Sequence, residues 1–73
     1  MVIENADQDV EGILDVVASR LNDGSIVNES FYKRKFDPLI GVLRKGGSEN
    51  ADSLQKEYFA LMTRAKKEGL YRP

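Results

Sequence analysis

Apolar residues recur every three or four positions over the first third of the chain, which is the spacing of an amphipathic helix. They are Val10, Ile13, Leu14, Val17 and Leu21. The pattern predicts a helix over about 6–22 with these side chains in the core. Asn5 or Asp7 can cap its beginning, because either side chain can accept a backbone N–H bond. Gly12 lies inside this helix, and we expect it to mark a close approach by another backbone.

A second stripe of this kind lies near the end of the chain. It consists of Leu54, Tyr58, Leu61, Met62 and Ala65. The stripe predicts a helix over about 51–67, capped by Asp52 or Ser53. Gly69 followed by Leu70 is typical of a Schellman stop, since glycine readily adopts the positive φ that this turn requires.

The middle of the chain contains two shorter helical patterns separated by Asp37-Pro38. A residue before proline disfavours the α conformation, whereas proline itself fits the first turn of a new helix. The sequence therefore predicts short helices over about 29–36 and 38–45. We expect Asn28 to cap the first of them and Phe31 to point inward. Ile26-Val27 is too short to alternate and has no evident strand to pair with, so no sheet is expected.

Composition indicates one small folded domain over 1–73. Apolar residues form 41% and charged residues 32% of the chain, which is a globular balance and not that of a disordered chain. A chain of 73 residues buries only about 60% of its unfolded surface, so its stability is marginal or borrowed from a partner. Cys and His are both absent, so neither disulfides nor the usual zinc ligands can contribute. We therefore expect an all-α bundle of three to four helices, held by apolar packing.

The beginning of the sequence shows neither the basic region nor the apolar region of a signal peptide. No apolar run approaches the roughly 18 residues that a membrane span requires. We expect a cytoplasmic protein without a membrane partner.

Catalytic constellations are not evident. Without Cys or His, a nucleophile would have to be Ser or Lys, and none is spaced with an activating group. Asp7, Glu11 and Asp15 recur at i, i+4 and i+8, but acids near the beginning of a helix also suit a solvated surface at the positive end of its dipole. The glycines lack the spacing of a phosphate-binding loop. The sequence predicts no enzyme, no cofactor and no metal site.

Asp52-Ser53-Leu54 resembles the serine motif of acyl carrier proteins, in which the serine carries a phosphopantetheine arm. The resemblance covers three residues. In that family two further helices follow the serine and the recognition helix is acidic, whereas here only the final helix follows and its later turns are basic. We therefore assign Asp52 or Ser53 to helix capping and expect no phosphopantetheine.

Positive charge clusters in the middle of the chain. The residues are Lys33, Arg34, Lys35, Arg44 and Lys45. Cations beside aromatic side chains can bind phosphates and stack on bases, which makes nucleic-acid binding the alternative function. Residues 1–30 hold seven acids and a single base, so the basic segment can instead pair with the acidic first helix. The net charge of −1 favours this second interpretation, because nucleic-acid-binding domains are usually basic.

Several apolar and aromatic residues fall beside the main stripes. The candidate protein-interface residues are Val16, Tyr32, Val42, Phe59 and Tyr71. Surplus apolar and aromatic surface is typical of interfaces, although these residues can also widen the core. We expect a small helical protein-interaction module of the regulatory, adaptor or inhibitory kind, as found among phage- and plasmid-encoded accessory proteins. Its partner would be another protein or a second copy in a homodimer.

Overall fold

The computed structural model describes residues 6–73 and contains three helices and two short strands. In chain order these are α1 (Ala6–Asn22), β1 (Val27–Asn28), α2 (Glu29–Lys45), α3 (Asn50–Lys67) and β2 (Tyr71–Arg72). Each helix contacts the other two. The prediction of a small, mostly helical protein is confirmed, and the first and last predicted helices correspond to α1 and α3. Asn5, one of the two proposed caps of the first helix, lies outside the described residues, and Asp7 lies within α1.

The core receives one apolar stripe from each helix. The buried residues are Ala6, Val10, Leu14, Val17 and Leu21 of α1, Tyr32, Phe36, Ile40 and Leu43 of α2, Ala51, Leu54, Tyr58, Met62 and Ala65 of α3, and Val27 of β1. Phe36 and Tyr58 stack at the centre, with ring centroids 4.2 Å apart. Within residues 6–73 no helix is both long and apolar enough to cross a membrane.

The prediction of two short helices in the middle of the chain is wrong, because α2 continues through Pro38 as one helix. Proline inside a helix costs about 3 kcal/mol, since it removes one backbone hydrogen bond. The α2 stripe of Tyr32, Phe36, Ile40 and Leu43 keeps helical spacing on both sides of the proline. Burial of each such side chain contributes about 1.5–3 kcal/mol. Together the four side chains therefore stabilise a continuous helix by more than the proline destabilises it.

The inward direction predicted for Phe31 is also wrong. Phe31 is 53% exposed, whereas the neighbouring Tyr32 is 9% exposed. The predicted cap of this helix is confirmed: Asn28 Oδ1 accepts a hydrogen bond from the Phe31 N–H at 3.2 Å. Because successive helical residues are about 100° apart, the stripe that begins at Tyr32 leaves Phe31 on the outer side.

The three helices of the described chain end in the same kind of turn. Gly24, Gly47 and Gly69 have φ values of 77°, 75° and 73°, in the left-handed region that glycine adopts without a steric penalty. The residue after each glycine donates its N–H to the carbonyl five positions back: Ser25 to Arg20, Ser48 to Leu43 and Leu70 to Ala65. These are Schellman turns. The glycine stop predicted for the last helix is therefore confirmed.

The beginning of α3 differs from the prediction. Asp52 and Ser53 lie inside the helix, and the N-terminal flanking residue Glu49 makes no side-chain capping bond. Instead, Ser48 Oγ accepts from the Asn50 N–H at 3.2 Å, and Asp52 forms an ion pair with Arg44 at 3.0 Å. The capping role assigned to Asp52 or Ser53 is wrong, because α3 begins at Asn50, close to the predicted start, and both residues follow within the helix.

A short parallel strand pair joins the end of the chain to the connection between α1 and α2. Val27 pairs with Tyr71 and Asn28 with Arg72, and the Val27 N–H donates to the Leu70 carbonyl at 2.7 Å. The expectation of no sheet is therefore wrong. Two-residue strands show no alternation, and α2 and α3 separate the two strands in the sequence, so no local pattern predicts their pairing. We call residues 23–29 and 69–72 the strand-pair region.

Candidate functional site

Beside its core stripe, α1 carries a second row of residues on the side of the helix that faces α2. Asp9, Gly12, Ile13 and Val16 lie at i, i+3, i+4 and i+7, and so share one side of the helix. They line the same cavity. Ile13 is half-buried and packs against the core, whereas Val16 is 49% exposed. The row therefore forms an acidic and apolar wall at the edge of the core.

The opposite wall is formed by the beginning of α2. Phe31, Tyr32 and Lys35 line the same cavity, and the Phe31 ring meets Tyr32 edge-on with centroids 5.0 Å apart. Lys35 Nζ lies 4.5 Å from the Phe31 ring centroid, which is cation–π distance. The buried Tyr32 thus supports an exposed aromatic ring that holds a positive charge in place.

Between these walls lies an open cavity of about 440 Å³, which we call the α1–α2 groove. Gly12 leaves a gap in its α1 wall, because a side chain there would find no atom within 4 Å. The prediction that Gly12 marks a close backbone approach is therefore wrong for the described residues. The missing side chain instead widens the groove, and it does so at a cost in helix propensity of up to about 1 kcal/mol.

The predicted interface residues do not form one surface. Val16 and Tyr32 both line the α1–α2 groove, with Tyr32 buried. Val42 is exposed on α2, and Phe59 is 56% exposed on α3, where its ring meets Tyr58 edge-on. Tyr71 is half-buried against the core, and its hydroxyl donates to the Glu29 carboxylate. Sequence reasoning missed Phe31, although the helical register that buries Tyr32 would have placed it outside.

The basic segment of α2 also divides into two parts. Lys33, Arg34, Lys35 and Lys45 are exposed, and among the described residues no ion pair joins them to α1. Arg44 instead contacts α3, through its ion pair with Asp52 and a hydrogen bond to Gln55. The interpretation that the basic segment pairs with the acidic first helix is not supported by any contact in the described chain.

The acidic side of α1 faces α3. Two smaller cavities, of about 180 and 270 Å³, lie there and share Leu14, Asp15 and Glu57 as lining residues. Within residues 6–73 no group of three or more Asp and Glu side chains is placed to hold a metal ion. This side therefore offers a shallow acidic surface and not a ligand cage.

Two tyrosine hydroxyls have unusual surroundings. Tyr58 is buried, and its hydroxyl has no hydrogen-bond partner among the described residues. Burial raises the pKa of this hydroxyl, and the nearby negative charges of Glu29 and Asp37 raise it further. The hydrogen bond to Glu29 raises the pKa of the Tyr71 hydroxyl. Both hydroxyls therefore stay protonated at neutral pH, and they do not line the α1–α2 groove.

The arrangement defines a small three-helix domain with an open, mainly apolar groove between two helices. Comparisons with protein-family models, with curated proteins and with solved structures found no match.

Proposed function

We propose that this chain is a protein-interaction module, of the regulatory, adaptor or inhibitory kind, that binds its partner through the α1–α2 groove. The proposal depends on one observation. Phe31 and Val16 are each about half exposed on facing walls of a single groove, so apolar surface is concentrated where a partner side chain can enter.

The composition of the groove supports recognition of a protein. Exposed aromatic side chains in a pocket are the usual anchors of protein interfaces, where a few residues dominate the binding energy. The gap at Gly12 gives room for one inserted side chain. Asp9 and Lys35 at the walls provide charges that fix orientation more than affinity.

The test is affinity capture with a tagged chain, from cells that also express an untagged copy, after nuclease treatment. Phe31→Glu places a charge in the groove, and Phe59→Glu is the matched control because it alters an exposed aromatic residue on α3. We expect a protein partner, whether another protein or the untagged copy, to be retained by the wild type and by Phe59→Glu and lost with Phe31→Glu. Equal capture by the three proteins would contradict the proposal.

The second candidate function is nucleic-acid binding through the basic segment. It is favoured by four exposed cations of α2 that make no ion pair within the described chain, namely Lys33, Arg34, Lys35 and Lys45. The exposed Phe31 ring lies on the same helix. Four phosphate contacts predict a roughly 100-fold loss of affinity between 50 and 200 mM salt. Anisotropy of a labelled oligonucleotide measures this, and an affinity that is absent or independent of salt excludes the candidate.

A further inference from the structure

We infer that the occupant of the α1–α2 groove is a second copy of this chain, which makes the protein a two-fold symmetric homodimer. The inference rests on the proposed function, because it names the partner of the same groove. It follows from the way in which charge and apolar surface are distributed between the two walls.

The two walls of the groove carry opposite charges. Asp9 lies on the α1 wall and Lys35 on the α2 wall, and both side chains are exposed. The ion pairs of the described chain are Arg44 with Asp52 and Arg64 with Glu68, so Asp9 and Lys35 remain available. A surface with one acidic wall and one basic wall is complementary to itself.

A two-fold axis that runs along the mouth of the groove, outside the line that joins Asp9 and Lys35, turns a second copy so that its walls face those of the first in exchanged order. It places Lys35 of the partner subunit opposite Asp9, and the same operation forms the equivalent pair a second time. A contact that is formed twice in this way is typical of an isologous interface, in which both subunits use the same surface patch. A partner of uniform charge would satisfy only one wall.

The apolar surface of the groove is also complementary to itself under this two-fold rotation. Phe31 projects from the α2 wall, and Gly12 leaves a gap in the α1 wall. Exchange of the walls brings the aromatic ring of each copy toward the glycine gap of the other. Lys35 is already held at 4.5 Å from the Phe31 centroid, so its ammonium group loses little conformational freedom on pairing.

Two properties of the whole chain agree with self-association. A domain of 73 residues has a small core and gains from the burial of further apolar surface. The net charge of −1 imposes little repulsion between copies, and proteins near zero net charge associate most readily. The opposite charges of the groove walls would then determine the geometry of association.

The experiment measures solution mass by light scattering behind a sizing column, over a range of protein concentrations. Wild type, Asp9→Lys, Lys35→Glu, an equimolar mixture of these two variants, and Phe59→Glu are compared, and circular dichroism confirms that each is folded. The wild type and Phe59→Glu should show twice the monomer mass of 8.2 kDa. Each charge variant alone should be monomeric, because one charge sign then occupies both walls. The mixture should recover the dimer mass, since each variant supplies the charge that the other lacks.

The outcomes separate this inference from the proposed function. A wild type that stays monomeric at millimolar concentration overturns the second copy as occupant, and so does a dimer that both single charge variants retain. If the protein is monomeric while capture of another protein depends on Phe31, the groove is an interface for a heterologous partner and the proposed function stands. If neither self-association nor groove-dependent capture occurs, both are wrong.

Discussion

The strand-pair region and the α1–α2 groove differ in how far their apolar side chains are buried and in how far their polar groups have partners. In the strand-pair region the Val27 side chain is fully buried and its N–H is bonded. Arg20 donates to the Ile26 carbonyl at 3.0 Å, and Tyr71 donates to Glu29. In the groove, Phe31 and Val16 are half exposed, and the two wall charges make no ion pair among the described residues.

The difference indicates which part of the surface maintains the fold and which part is free for recognition. Residues in the strand-pair region bury and hydrogen-bond one another, so substitutions there should destabilise the protein. The α1–α2 side instead contains features that weaken an isolated helical domain, namely a glycine and a proline within helices and an exposed aromatic ring. Natural proteins accept such costs where function requires them, so changes on that side should leave the stability of the monomer unchanged or increase it.

The largest effect should come from Val27→Asp. An unpaired carboxylate in this fully buried position should lower the free energy of unfolding by about 4 kcal/mol. Ile26→Asp is the control, because Ile26 is 42% exposed and its substitution should cost less than about 0.5 kcal/mol. Urea denaturation followed by circular dichroism gives both values, and Val27→Ala, at about 2 kcal/mol, keeps the comparison measurable if the aspartate variant is unfolded. Equal losses at positions 26 and 27 would show that the strand pair contributes little.

Pro38→Ala should increase stability. The substitution restores a backbone N–H inside α2 and removes the steric conflict of the ring, a gain of about 3 kcal/mol that is reduced by about 1 kcal/mol because alanine makes the unfolded chain more flexible. Pro38 is exposed and lies seven positions from Phe31, on the same side of the helix. Urea denaturation should show a net gain of about 2 kcal/mol, with Pro73→Ala unchanged as control. A loss of stability would mean that the packing of α2 depends on the proline.

Alkaline stability should depend on Tyr58. The raised pKa of its hydroxyl means that the unfolded chain releases this proton first, near the ordinary pKa of about 10, while the folded protein still holds it. Stability should therefore be constant below about pH 9 and fall above pH 10, by about 1.4 kcal/mol at pH 11 from this group. Tyr58→Phe should remove that part of the loss and should not destabilise the protein at pH 7, because the hydroxyl has no bond to lose. Parallel alkaline losses in the two proteins would contradict this role.

The smallest effects should come from two glycines and should have opposite signs. Gly12→Ala on the groove wall should raise the free energy of unfolding of the monomer by about 1 kcal/mol, since the position is helical and open. Gly24→Ala in the strand-pair region should lower it by about 1 kcal/mol, because φ there is +77°. Thermal and urea denaturation of both variants give the comparison. A loss at Gly12 would show that the gap is filled in solution, either by this chain or by a second copy.

Much of the fold could be predicted because the helical stripes are local signals. The core positions Val10, Leu14 and Val17 follow from their spacing alone, and the stop at Gly69 follows from one residue type. Pro38 misled the prediction because local proline chemistry was given more weight than the stripe that continues across it. The strand pair could not be predicted, because it depends on contacts between residues far apart in the chain.

The candidate site could be predicted only in part. Val16 was identified because it falls beside a stripe, and Lys35 because it belongs to a run of cations. Phe31 was assigned to the core because an aromatic residue near a helix start is ordinarily buried, and only the register set by Tyr32 and Phe36 shows otherwise. No sequence pattern brings Gly12 of one helix opposite Phe31 of another, since this depends on how α1 and α2 pack.

The strand pair also determines the order in which the molecule can assemble. Its contacts, such as that between Tyr71 and Glu29, join residues 42 positions apart, whereas helices form from contacts within a few residues and do so in microseconds or less. Closing so long a loop costs conformational entropy, and this cost is incurred before the contacts of the strand pair can stabilise the protein. We therefore expect the three helices to form and collapse first, with Val27 covered last. In the reverse direction, unfolding should begin with release of β2, so hydrogen exchange at the Val27 amide should be faster than exchange in the middle of α1.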